Sequence, residues 1–557
     1  MEDEGPGRIL IHPEGGRQVR CPARFLEPTM IRLTSYLAGS WFAGSGRHVP
    51  LVDPSTEEVI AEASSEGADF AAALEHARNV GGPALRALSF ADRAALLKDM
   101  AKILHAHREE LLDLAQKNGG NTRGDAKFDV DGAIGTLAAY ASFGEALAKR
   151  VGDRRFLTDG DMFPLTRSPR FVGQHVWVPR TGVAVHINAF NFPAWGTFEK
   201  AAVALLAGIP IITKPATATA LVTWRMTQVL VESGRMPAGS FQLVVGSTGD
   251  LLSRLGPQDH LAFTGSNATG AMLRGTAGFA EKSVRVTVEA DSLNAAVAGP
   301  DVEPGSDLWN TLVRNLVTDM TQKTGQKCTA VRRVFVPAAH ADALQEALVD
   351  ALSGVVVGNP VEDGVTMGPV STASQLRDAL AGIRALAAHA TIVTGGAERL
   401  DGRGAPEGKG FYVAPTVLRA ASATNAGPVH DLEVFGPVVT LLPYDGTASV
   451  AAELVALGQG SLVTSAYSDD RAWVETFVLG AAPSLGRLLL LSSKVADQAT
   501  APGMVLPALV HGGPGRAGGG EELGGERGLL FYMQRTALQG DSAVIGKLFA
   551  APVPTAS

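Results

Sequence analysis

Cys328 lies in T-Q-K-T-G-Q-K-C-T-A-V-R-R at residues 321–333 and is one of only two cysteines in 557 residues. A thiol in such a stretch is either a nucleophile or a small core residue, because free cysteine is among the most buried residue types. To attack an electrophile it must ionise, and an ordinary thiol, with a pKa of about 8.5, is only a few per cent thiolate at neutral pH. Lys323, Lys327, Arg332 and Arg333 flank it, and positive charge there is expected to favour the thiolate. Four other places carry residue types suited to chemistry: Asn191 in A-F-N-F-P-A-W, Lys214 in T-K-P-A, Gly265-Ser266 with Gly270, and Glu289 after V-T-V. Taken singly, each has a structural reading: a turn residue, a surface lysine, a tight turn, a strand-end ion-pair partner.

These residues gain meaning from the elements that would carry them. From residue 182, short apolar runs (183–187, 209–213, 241–245, 260–264) alternate with helical patterns near 198, at 220–233, at 250–255 and from 271. Such alternation predicts a mostly parallel sheet with helices on both faces, which binds nucleotides at the C-terminal ends of its strands. Asn191, Lys214, Gly265 and Glu289 all follow such runs. Residues 284–298 are expected to leave this unit, and a second strand–helix alternation carries Cys328 and extends to about 495. Earlier in the chain, residues 36–41, 53–54 and 59–60 read as short strands. A capping-box start at Ser89 and Asp92 opens one helix that ends at Gly119-Gly120, and a second runs over 133–148. Residues 156–158 and 162–166, separated by Asp159-Gly160, predict a hairpin, with a further strand over 171–178. A hairpin that exposes an edge calls for a pairing partner, here expected to be another subunit.

Composition bounds the alternatives. A chain this long calls for more than one domain, and 46% hydrophobic with 19% charged residues describes an ordinary globular protein. A net charge of -8 argues against a nucleic-acid partner. No apolar run approaches the roughly 18 residues of a membrane span. Two cysteines, Cys21 and Cys328, suit a reducing cytoplasm. Residues 1–29 show no apolar period and read as a disordered or artefactual extension.

As an ordered set, F-N-F-P, K-P-A, F-T-G-S with Gly270, Glu289, G-Q-K-C and E-V-F-G-P at residues 433–437 resemble the aldehyde dehydrogenase superfamily over about residues 36–540. The resemblance implies an α/β fold of two doubly wound parallel-sheet domains plus a small β oligomerisation element. It places a dinucleotide-binding domain at 30–153 and 179–290, a catalytic domain at 291–528 and the oligomerisation element at 154–178 and 529–557, with a homodimer or dimer of dimers expected. It makes Cys328 the nucleophile, Asn191 an oxyanion donor and Glu289 the base that activates water. Cofactor contacts are expected from Lys214, Thr217, Phe190, Gly265, Ser266, Gly270, Glu433 and Phe435, and no metal is implied. Many NAD-preferring members have glutamate where this chain has Thr217; losing that charge favours NADP, with NAD weaker.

G-P-G-R-A-G at 513–518 matches G-x-G-x-x-G, but glycine pairs rather than a helix follow it, so it reads as a substrate-side loop. That loop (H-G-G-P-G-R-A-G-G-G-E-E-L-G-G at 511–525), V-E-A-D-S-L-N at 288–294 and T-G-Q-K-C-T-A-V-R-R resemble the branch that oxidises coenzyme A-linked semialdehydes in aerobic aromatic degradation. A coenzyme A-acylating enzyme should not need Glu289; a dehydrogenase of a free small semialdehyde would use the same core. A non-catalytic homologue would not need Cys328, Asn191 and Glu289 together.

Overall fold

The computed structural model describes residues 30–549; the extension expected at 1–29, with Cys21, lies outside them. The four short apolar runs and Arg285–Glu289 pair in parallel, in the order Arg285–Glu289, His260–Thr264, Ala184–Ile187, Ile211–Lys214, Phe241–Leu243. The hairpin of Ser35–Leu37 and Ser40–Phe42 extends this sheet antiparallel at one edge. Register sets Glu289 beside Thr264 and Lys214 beside Ile187. The loops that follow these strands therefore open on one side of the sheet.

Arg285–Glu289 corrects one expectation: it remains in the first sheet as an edge strand, and the chain crosses to the second only between Glu289 and Ala295. The second sheet runs Thr391–Thr394, Thr416–Arg419, Val438–Tyr444, Arg333–Pro337, Ala295–Ala298, Ser461–Tyr467, Leu485–Leu491, parallel except for the first strand. Cys328 sits on the loop that feeds its central strand Arg333–Pro337.

Between the first sheet and the helices Phe90–Ala106 and Arg123–Val151 runs Trp195–Ala207, buried along its whole length. Both flanking helices start on capping boxes, Ser89 with Asp92 and Thr122 with Asp125, each worth about 1 kcal/mol. The expected helix from Ser89 to Gly119 is two, Phe90–Ala106 and Arg108–Gly119, broken at His107. Both halves bury a face against Arg123–Val151, so the apolar period continues across the break.

Leu157–Pro164, Phe171–Pro179 and Met533–Asp541 form a separate antiparallel sheet with Phe171–Pro179 in the middle. Asp159-Gly160 is not the turn expected: it is an irregularity inside Leu157–Pro164, where Gly160 has φ +72°. Two extra residues there, four steps from Asp159 to Phe163 against two from His175 to Gly173, bend the strand without reversing it.

Candidate active site

Three consecutive residues before Cys328, namely Lys323, Thr324 and Gly325, have left-handed φ values of 52°, 55° and 66°. For the two non-glycine residues this costs of order 1–2 kcal/mol each, and surrounding bonds hold it. Asp125 accepts the Lys323 N–H at 2.9 Å, and Thr324 Oγ1 donates to the Gly368 carbonyl at 2.9 Å. A Cβ on Gly325 would lie 2.2 Å from the Gly436 carbonyl oxygen, so that position admits no side chain. Asn191 reaches the same loop: its Nδ2 donates to the Gln326 carbonyl at 3.1 Å and keeps a second N–H.

The flanking cations do something other than expected. Lys327 Nζ is fully buried against Asp319 at 2.8 Å, and Lys323 Nζ donates to Asn121 Oδ1 at 3.2 Å beside the Phe192 ring. Arg332 donates to the Gly436, Gly325 and Lys327 carbonyls at 2.8, 3.0 and 3.2 Å, faces Phe435, and lies 3.4 Å from Glu433. Arg333 donates to the Leu293, Leu454 and Val455 carbonyls. These four residues build the loop rather than ionise the thiol. Burial, followed by the carboxylates of Glu289, Glu199 and Glu433, pushes the Cys328 thiol well above its ordinary range.

Glu289 and Cys328 meet, and a residue with no assigned role in the sequence joins them. Sγ of Cys328, a carboxylate oxygen of Glu289 and a ring nitrogen of His511 all lie within 4.8 Å of one another. His511 Nε2 is 3.8 Å from Sγ and 3.2 Å from Glu289 Oε2. Burial opposes ionisation of Glu289, but His511, Lys200 and the Cys328 thiol outweigh it and hold its pKa at about 2. Neither Glu289 oxygen makes a directed hydrogen bond among the described residues. An ionised, buried, unsaturated carboxylate beside the thiol has the form of a general base awaiting water.

The glycine-rich loop delivers His511. Val510–Gly512 and Glu521–Leu523 form a two-stranded ladder with His511 opposite Glu522, and the loop lies on the Glu289 strand: Ala517 O accepts from Ala290 N, and Gly520 N donates to Val288 O. Cβ atoms on Gly518 and Gly520 would lie 2.2 and 2.5 Å from the Val288 carbonyl oxygen, which accounts for the glycines. Gly515–Ala517 is a single 3-10 turn, so the fingerprint match has no helix behind it.

Lys200 and Glu199 were also silent in the sequence reading. Both are buried in Trp195–Ala207, where Lys200 pairs with Glu199 and, at 3.0 Å, with Glu522. Burial and repulsion from neighbouring carboxylates, Glu522 and Glu289 for Glu199 and Glu289 for Glu522, push both upward; burial disfavours the Lys200 ammonium, but Glu199, Glu522 and Glu289 outweigh it and raise Lys200. An adjacent Glu-Lys pair inside an otherwise apolar helical run was the available signal, since such charges are buried only when paired.

On the other side of the loop, Lys214 Nζ is half-buried and, among the described residues, has only the Pro215 carbonyl as partner, at 3.2 Å. Thr217 Oγ1 donates to the Gly246 carbonyl at 3.3 Å. Phe190 and Phe435 meet edge to face at 5.8 Å. Glu433 accepts from Ser292 N at 2.9 Å; burial raises its pKa to about 6, with Arg332 opposing. Ser266 caps Asn267–Arg274, Gly265 N donates to the Glu289 carbonyl, and a Cβ on Gly270 would lie 2.7 Å from Val288 Cγ1. The two glycines thus bring the helix against the strand of Glu289.

Cys328 also borders a cavity of about 400 Å³ lined by Phe128, Gly132, Gly135, Phe192, Trp195 and Met504, among others. A half-buried thiol bordering such a cavity, with an ionised carboxylate beside it and a free amide N–H on the same loop, can add sulfur to a carbonyl carbon, hold the resulting oxyanion and admit water afterwards.

The aldehyde dehydrogenase family profile matches residues 41–536, and the chain belongs to that family: it is an oxidoreductase acting on aldehydes. It is 44% identical over 484 residues to 3,4-dehydroadipyl-CoA semialdehyde dehydrogenase of Aromatoleum evansii, covering 87% of this chain and 93% of that protein. It is 28% identical over 417 residues to alpha-ketoglutaric semialdehyde dehydrogenase of Bacillus subtilis, covering 74% and 80%. Among solved structures, lactaldehyde dehydrogenase of Escherichia coli superposes with a TM-score of 0.78 at 24% identity, over 92% of this chain and 99% of that one. No helix among the described residues is long and apolar enough to cross a membrane.

Proposed function

We propose that the protein oxidises the aldehyde end of a coenzyme A-linked semialdehyde, 3,4-dehydroadipyl-CoA semialdehyde, to the carboxylic acid, with NADP as hydride acceptor, in cytoplasmic aerobic benzoate degradation. The observation that carries hydrolysis is the ionised Glu289 within reach of Cys328; the relationship to the Aromatoleum enzyme supports the substrate.

In this reading Cys328 Sγ adds to the carbonyl carbon, and the second Asn191 N–H with the Cys328 backbone N–H stabilises the oxyanion. Such a donor contributes about 10² to 10³ in rate. The bound nicotinamide cofactor supplies the acceptor for the hydride that leaves the adduct. Collapse gives a thioester on Cys328, and Glu289 takes a proton from the water that hydrolyses it.

The residues on the cofactor side fit a phosphorylated dinucleotide. Lys214 is a half-buried ammonium with no carboxylate partner among the described residues, which suits an anion or ribose hydroxyls. Thr217 adds no charge beside it, which supports NADP over NAD. When the cofactor is bound, Phe190 and Phe435 would wall its nicotinamide side, Glu433 would accept from its nicotinamide ribose, and Gly265, Ser266 and Gly270 would border its pyrophosphate. The three-stranded sheet has Leu157–Pro164 at one edge with Met162 and Phe163 exposed. We assign it to subunit pairing in a dimer or dimer of dimers.

Mass spectrometry of the Glu289→Gln protein tests the mechanism. After one turnover with the semialdehyde and NADP, the peptide bearing Cys328 should carry the acyl group, and NADPH should form as a burst. Release of acid at the native rate would remove Glu289 from deacylation.

A further inference from the structure

Sulfur cannot attack while it holds its proton, and the cations first expected to free it are committed elsewhere. A thiolate made by losing that proton to solvent would stand among the carboxylates of Glu289, Glu199 and Glu433, with Arg332 and Arg487 the cations that feel its charge. Moving the proton to a neighbouring base within the site avoids this, since the net charge of the site is unchanged.

His511 occupies the position of that base. Its Nε2 meets hydrogen-bond geometry with Cys328 Sγ at 3.8 Å, while its 3.2 Å contact with Glu289 Oε2 is an ion-pair contact without a directed hydrogen bond. Nε2 therefore points at sulfur, with the carboxylate beside it to pair with an imidazolium, the division of labour among thiol, imidazole and carboxylate found in cysteine hydrolases. The ring is fixed: Trp195 packs edge-on at 5.5 Å, and the His511 backbone is paired with Glu522. The next two residues are pressed too close for side chains, since Cβ atoms on Gly512 and Gly513 would lie 2.0 and 2.4 Å from the Gly520 and Ser461 carbonyl oxygens. The titratable groups facing His511 are Cys328, Glu289 and Glu522, with Lys200 and Glu199 behind them.

Resting on the reading of Cys328 as nucleophile, we propose that His511 is a catalytic residue that takes the thiol proton as sulfur attacks and returns it when the thioester is cleaved. In acylation the S–H bond breaks, Nε2–H and S–C form, and the C–H bond leaves with its electron pair as hydride to the cofactor. In deacylation water loses one proton to Glu289, C–O forms, and C–S breaks with its electrons on sulfur. The His511 imidazolium then reprotonates sulfur. The two protons released overall come from Glu289 and from the acid product. Glu289 thus stays a carboxylate through acylation and is free to serve as base for water.

The test is the rate of Cys328 alkylation by iodoacetamide from pH 5 to 10, in native, His511→Gln and His511→Phe proteins, without substrate or cofactor. The native rate should plateau across neutral pH. In both variants the plateau should vanish, the rate at pH 7 falling at least tenfold and rising steeply only in alkali. A companion measurement is the single-turnover hydride step, expected to slow at least tenfold in His511→Gln. Equal alkylation profiles in native and variant proteins overturn the proposal. So does a native profile that climbs without a plateau to beyond pH 9, which needs no variant to fold. Because alkylation uses no aldehyde, an error in the proposed substrate leaves this result untouched.

Discussion

Gly135 offers a perturbation in which stability and activity should move in opposite directions. It lies on the cavity face of Arg123–Val151, is exposed, and a Cβ built on it meets nothing within 4 Å. Gly135→Leu therefore projects four carbons into a cavity of about 400 Å³ without displacing backbone. Replacing glycine inside a helix gains about 0.8 kcal/mol of helix propensity, so the midpoint of thermal unfolding should rise, by about 1 °C in a protein of this size. A long substrate loses its path to Cys328. If four of its methylenes forfeit burial at about 0.8 kcal/mol each, about 3 kcal/mol, kcat/KM falls by about two orders of magnitude. Propanal, which needs only the inner end, should lose less than about threefold by the same bookkeeping. The assay compares kcat/KM for the coenzyme A-linked semialdehyde and for propanal in native and Gly135→Leu proteins. Equal losses on both substrates, or none on the large one, would refute the cavity as the substrate's path.

Thr217→Glu should raise KM for NADP by about tenfold and change KM for NAD much less, through repulsion of a 2'-phosphate; equal effects would remove Thr217 from that position. Asn191→Ala should lower kcat by about 10² to 10³ with little change in cofactor binding, and a loss confined to KM would contradict its role at the oxyanion. His260 is buried against Thr287 and Tyr532, and burial, then Arg285 and Arg180, lower its pKa to about 3. Because the unfolded chain protonates this ring near pH 6.5 and the folded one does not, stability is full above that pH. It should fall by about 1.4 kcal/mol per unit toward about 3. Urea midpoints of His260→Asn should show about 2 kcal/mol less loss than native protein between pH 6.5 and 5, and parallel losses would refute it.

The site was legible where chemistry and sheet topology coincide. Asn191, Lys214, Gly265 and Glu289 each follow a short apolar run, and parallel strands bring the loops after such runs together whatever the distance in sequence. The charges beside Cys328 misled for a physical reason: adjacency along the chain says nothing about where a long side chain ends. Arg332 reaches Gly325 and Gly436 instead of the thiol. His511 was not legible because it is 183 residues from Cys328, and only the ladder of Val510–Gly512 with Glu521–Leu523 brings it there. Periodicity likewise could not show the break at His107, where the buried face is shared, nor distinguish a bulge at Gly160 from a turn.

The most direct test of the account is nicotinamide reduction by the purified protein with the coenzyme A-linked six-carbon semialdehyde, NADP against NAD, with no free coenzyme A added. The account predicts a fast NADP-dependent rate and a product in which the aldehyde has become a carboxylate while the coenzyme A thioester is intact. A rate that requires added free coenzyme A, or turnover of small free aldehydes alone, would contradict it.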